Sequence, residues 1–158
     1  MLCPPRAAQD PAFLEWFGES QARCPLGLPL LLYHGTEARF DAFDLSRIPR
    51  SSSRPAVWCT PSHHAAGFYG PTRIPLYLRA RRVLRAPTDD LTYWVRHALD
   101  ANLLAALADE EGPAWDAVHF ADVVDGDTPA DVWAVLDPMS LKSPAARAFD
   151  PDDPSLFA

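Results

Sequence analysis

Residues 32 to 44 read "LYHGTEARFDAFD", and they end an apolar run that begins at Leu28, "LPLLLYHGT". A strand that only builds a core needs neither a histidine nor a glycine at its end. The histidine brings a ring that hydrogen-bonds, and the glycine lets a second backbone or a ligand come close. The pair is either a plain strand terminus or the floor of a binding site. Only its neighbours in the fold can separate the two.

A chain of 158 residues is long enough for one domain with its own core, without metal or disulfide staples. With 48% apolar and 22% charged residues the balance is that of a globular protein. Seventeen prolines imply short elements joined by stiff loops. The net charge of -7 argues against a general nucleic-acid binder, which draws most of its affinity from neutralised phosphates. The basic cluster "RARRVLR" at 79–85 is the local exception. Cys3, Cys24 and Cys59 lack metal-ligand spacing and read as free thiols of a reducing compartment. The N-terminal segment "MLCPPRAAQD" has no basic stretch followed by an apolar one, and no run is long enough for a membrane span. A soluble chain is expected, cytoplasmic or delivered into a target cell without a cleaved signal.

The pattern of elements points to α+β with antiparallel pairing, because most strands follow one another without a helical crossover. A helix is expected over about 10–24, capped by Asp10 with Pro11 at its first position and with Phe13, Leu14 and Phe17 on one face. "LPLLLYH" reads as a buried strand, and 37–55 as a long loop with Phe40 and Phe43 pegged into the core. "AVWCT" is a strand, "PSHHAAGFYG" a short helix, and "RIPLYLRARRVL" a period-two strand. The residues from Thr88 to Glu111 form the clearest helix, with Asp89 and Asp90 at its positive end and Gly112 as its stop. "WDAVHF" and "DVWAVLD" are two further strands, and 144–158 is expected to be a loose tail after a core at about 30–143. A single domain over 1–158 follows, with no repeat and no glycine-rich phosphate loop.

Three blocks recur in a known order. They are "LYHGTEARFDAFD", then "AVWCTPSHHAAGFYG", then "DAVHFADVVDGDTPADVWAVLDPMSLKS". In this order the chain resembles the ADP-ribosyltransferase fold, on the diphtheria-toxin and poly(ADP-ribose) polymerase side, and in particular small bacterial and phage transferase domains. The resemblance runs from about Leu30 to about Ser143. It implies a split antiparallel β-sheet core with flanking helices and NAD as co-substrate.

What the resemblance implies for the site can be stated residue by residue. Tyr69 stacks on nicotinamide and Trp58 forms the other wall, since aromatic faces hold a cationic ring by stacking and cation–π attraction. His34 hydrogen-bonds the adenosine-side ribose, Gly35 offers backbone groups to the carboxamide, and Thr36 and Thr60 support the pocket. Breaking the nicotinamide–ribose bond passes through an oxocarbenium-like state, which a carboxylate stabilises. Asp131 stands in that role as the residue before "VWAVLDP", where the family most often has glutamate, one methylene longer. Asp125 and Asp127 are alternatives, and so is Asp131 as an ordinary turn residue.

Other candidates carry less. His63 and His64 lack a third ligand at metal spacing, Cys59 lacks a nucleophile motif, and Arg47, Arg50 and Arg54 either reach a pyrophosphate or stay solvated. The expected activity is mono-ADP-ribosyl transfer to a macromolecule, protein rather than nucleic acid, as a bacterial effector, toxin or phage enzyme with a cognate immunity protein. A catalytically silent NAD- or partner-binding domain of the same fold is the alternative. An RNA 2′-phosphotransferase fits the acidic balance poorly.

Overall fold

The computed structural model describes residues 10–47, 54–86, 99–108, 114–124 and 128–158. Among the described residues, seven strands form two sheets, and helices are few. The fold is α+β, with the split and mostly antiparallel sheet that the resemblance implied. Strands β1 (Leu32–Thr36), β3 (Thr72–Leu78) and β7 (Leu141–Lys142) make one sheet in the order β1-β3-β7. Strands β2 (Val57–Cys59), β4 (Val83–Arg85), β5 (Ala117–Val124) and β6 (Pro129–Val135) make the other, in the order β2-β6-β5-β4. Pairing is antiparallel except between β4 and β5, which run parallel. The long connection between those two strands permits it, and it carries helix α3 (Leu99–Ala108).

The expected single strand over 73–84 is in fact two, one in each sheet. Asp116 explains the break, because its Oδ2 accepts both the Arg81 and the Arg82 backbone N–H, at 2.8 and 2.9 Å. Those groups are thereby taken from the ladder, and the chain crosses from one sheet to the other. The two sheets touch at one antiparallel bridge, where Tyr33 and Thr60 exchange backbone hydrogen bonds of 2.8 and 3.0 Å. Leu32, Leu76, Leu78, Val57, Trp133 and Val135 fill the core between the sheets. Val118, Phe120, Val132 and Ala134 point to the opposite face, under Leu103 of α3. The expected cap and stop residues of α3, Thr88 and Gly112, lie outside the described residues.

Helix α1 (Pro11–Phe17) is capped by Asp10, whose side chain accepts from the Ala12 N–H, and it stops at Gly18 with φ of 48°. It is shorter than the expected 10–24. Its buried face is Phe13, Trp16 and Phe17, while Leu14 is exposed. Phe13 meets the ring of Tyr77 at 4.8 Å and that of Phe149 at 5.2 Å. Tyr77 therefore turns away from its neighbours Leu76 and Leu78, and β3 is buried on both faces rather than one.

The C-terminal residues are not a loose tail. Leu156 is fully buried, and its N–H bonds the Asp41 carbonyl at 2.6 Å. Lys142, itself fully buried, donates from Nζ to the carbonyls of Asp153 and Ser155 at 2.6 and 2.7 Å. Composition hid this, because "DPDDPSLFA" is proline-rich and acidic yet places its apolar Leu156 in the core.

Candidate active site

The site lies where the two sheets meet. The Tyr33–Thr60 bridge brings the start of β1 beside the end of β2, and the short helix α2 (His63–Ala66) follows at once. Ser62 starts α2 with a side-chain cap to the Ala65 N–H at 3.0 Å. A 3-10 turn at Gly67–Tyr69 then delivers Tyr69 over β1. A cavity of about 130 Å³ results, with Tyr33, His34, Gly35, Trp58, Cys59 and Thr60 on one side and Ala65, Ala66 and Tyr69 on another. Val123, Ala130 and Val132 of β5 and β6 complete it. Five residues expected from the sequence, His34, Gly35, Trp58, Thr60 and Tyr69, thus line one cavity. Thr36, the sixth, borders its neighbour.

That neighbour, of about 550 Å³, is lined by His34 and Thr36 together with Phe40, Phe43, Asp44, Arg47 and adjacent aliphatic residues. His34 is common to both cavities. Its Nδ1 lies 2.8 Å from the Trp58 carbonyl. A carbonyl only accepts, so Nδ1 carries the proton and the neutral ring keeps its acceptor pair on Nε2. Phe43 meets the ring edge-on at 5.0 Å and Phe40 at 6.3 Å. Burial lowers the His34 pKa below its ordinary value, outweighing the hydrogen bond to Trp58 that raises it.

Gly35 has a packing reason that the sequence did not reveal. A Cβ placed there would lie 1.8 Å from the Ala66 carbonyl oxygen and 3.1 Å from Tyr69 Cβ. At Gly70 a Cβ would meet the Thr36 carbonyl carbon at 2.3 Å. The two glycines let the helix and its turn lie directly on β1, which sets the position of Tyr69.

Asp131 is not brought to this cavity. Side chains alternate along β6, so Ala130 and Val132 face the cavity and Asp131 faces the other side. There its Oδ2 accepts from His119 Nε2 at 2.9 Å and its Oδ1 from the Asp122 N–H at 3.1 Å. The hydrogen bond from His119 is the main cause that holds its pKa below the usual carboxylate value. Among the described residues no carboxylate lines the smaller cavity. Asp125, Asp127 and Arg50 lie outside the described residues.

The remaining candidates fall out plainly. Arg47 borders the larger cavity and pairs with Asp44 at 3.5 Å, while Arg54 borders neither. Burial pushes the Cys59 thiol far above its ordinary range, which leaves it an inert wall rather than a nucleophile. No group of metal-ligating side chains occurs among the described residues, and no described helix is long and apolar enough to cross a membrane. Missed in the sequence were Ala65, Ala66, Val123, Ala130 and Val132. For the last two, the alternation of "ADVWAV" held the signal, since it fixes which residues share a face with Ala134.

The family described as ADP-ribosyltransferase in polyvalent proteins matches residues 26–144, and the chain belongs to that family. No curated protein and no solved structure matches.

Proposed function

We propose that the chain binds NAD across the two cavities, cleaves the nicotinamide–ribose bond and transfers ADP-ribose to a macromolecule. The observation that carries this reading is His34 as the shared wall of a small apolar cavity and a larger one that also carries Thr36, Asp44 and Arg47. The smaller suits the flat nicotinamide ring between Tyr69 and Trp58, and the larger suits the adenosine half beside Phe40 and Phe43. His34 Nε2 accepts from a ribose hydroxyl between them. In the transfer, nicotinamide leaves with the electron pair of the glycosidic bond, the ribose takes on oxocarbenium character, and an acceptor nucleophile bonds to it and loses a proton. The net charge of -7 favours a protein acceptor over nucleic acid, in keeping with a bacterial effector, toxin or phage enzyme.

A second reading, an NAD-binding domain without transfer, is favoured by one observation: Ala130 and Val132, not an acid, face the cavity from β6. The same experiment separates them. Wild-type protein, His34→Ala and Tyr69→Ala are incubated with labelled NAD and a lysate while nicotinamide release and label transfer are followed. Transferase activity predicts both signals in the wild type and on the order of a hundredfold loss in each variant. NAD binding in calorimetry with neither signal selects the silent domain. Absence of binding and of both signals rejects both readings.

A further inference from the structure

Strand β5 changes its alternation halfway along. Phe120 stands opposite Val132 and Val123 opposite Ala130, so Ala121 and Asp122 together face Asp131. This is a β-bulge, and Asp122 sits in it with φ of 52°. Unbroken alternation would send Val118, Phe120 and Asp122 to one face. The extra residue sends Val123 there instead, where it is buried and lines the smaller cavity, and leaves Asp122 exposed. The bulge thus decides whether an apolar side chain or a carboxylate meets whatever the cavity holds.

A row of side chains on the opposite face closes the bulge. Arg85 of β4 donates from its guanidinium to His119 Nδ1 at 2.5 Å. His119 is left with its proton on Nε2 and donates it to Asp131 Oδ2 at 2.9 Å. Asp131 Oδ1 takes the Asp122 N–H of the bulge at 3.1 Å. The ring of Trp133 lies under His119 at 4.4 Å between centroids, which fixes the imidazole in the row.

We propose that Asp131 is a positioning residue: with His119 and Arg85 it clamps the β5 bulge, and the clamp holds Val123, rather than Asp122, in the wall of the cavity. The dependence of ligand binding on this clamp rests on the NAD reading above, whereas the clamp itself does not. The direction of the Asp131 pKa shift agrees, since its hydrogen bond from His119 favours the charged acceptor form.

Amide hydrogen exchange at residues 122 and 123, read by NMR on the full chain, tests the clamp without any ligand. NAD affinity by calorimetry is measured on the same samples. In Asp131→Ala, exchange at Asp122 is expected to quicken by on the order of tenfold or more, as an amide that has lost its acceptor. NAD affinity is expected to fall by on the order of tenfold as the wall shifts. Asp131→Asn keeps one acceptor oxygen and is expected to fall between Asp131→Ala and the wild type. The double variant Asp122→Gly with Asp131→Ala should recover affinity, because glycine adopts positive φ freely and rebuilds the bulge without the clamp. Unchanged exchange at Asp122 in Asp131→Ala overturns the proposal. So does a loss of affinity that Asp122→Gly fails to relieve, which would mark Asp131 as a direct participant. If the wild type binds no NAD, the functional reading fails and the exchange comparison still decides the clamp.

Discussion

His34 does its work through one proton. The Trp58 carbonyl fixes that proton on Nδ1, two phenylalanine edges hold the ring, and Nε2 remains an acceptor. Burial disfavours the imidazolium, so the folded pKa lies below the ordinary 6.5. The unfolded chain then takes up a proton before the folded one does. Stability contributed by neutral His34 is therefore complete above 6.5 and is lost as pH falls from there through the folded value. NAD affinity is expected to decline over the same window, because protonated Nε2 can no longer accept from a ribose hydroxyl. An NMR titration of the His34 ring alongside calorimetry at several pH values checks both. A His34 that titrates at or above 6.5 would contradict the burial effect, and affinity flat across that window would contradict Nε2 as an acceptor for NAD.

At the scale of elements, the seating of α2 and its 3-10 turn on β1 decides where Tyr69 stands. Gly35→Ala puts a methyl group 1.8 Å from the Ala66 oxygen, inside any tolerable contact. The obstacle is backbone rather than a flexible side-chain end, so the helix must lift. A loss of roughly 2 kcal/mol or more is expected in denaturant unfolding, at the upper part of the range for overpacked sites. Tyr69 is carried away with the helix, and NAD affinity should drop further than stability alone explains. Unchanged stability in Gly35→Ala would mean that the turn does not rest on β1 as described. This element also shows what could be read in advance. The helix at 63–66 was legible from its opening proline and closing glycine, and so was the strand that carries His34. That Gly35 serves the helix before any ligand was not, because the contact joins residues 31 positions apart. That Asp131 stands off this cavity was hidden for a related reason. The face of a strand follows from register, and one position separates Asp131 from Val132 in the cavity wall. The bulge at Asp122 likewise has no signature in "HFADVV", since its closure depends on Arg85 and Asp131 from other strands.

Across the whole molecule, the C-terminal residues tie the site to the far end of the chain. Leu156 packs into the core between the sheets, Ser143 N–H bonds its carbonyl at 2.8 Å, and its own N–H holds the Asp41 carbonyl. Asp41 lies between Phe40 and Phe43, the two rings set edge-on against His34. Lys142 reinforces the arrangement from below through the Asp153 and Ser155 carbonyls. Leu156→Ala leaves the backbone bonds possible but opens a void in a fully buried place, which is expected to cost about 2–4 kcal/mol. The effect should not stop at stability. With the tail loosened, the loop bearing Phe40 and Phe43 loses its anchor, and the larger cavity loses a fixed wall. NAD affinity measured well below the variant's melting temperature is therefore expected to weaken, while binding of free nicotinamide, which needs only the smaller cavity, should change little. Equal losses for the two ligands would place the effect in the common core, and no loss in either would separate the tail from the site altogether.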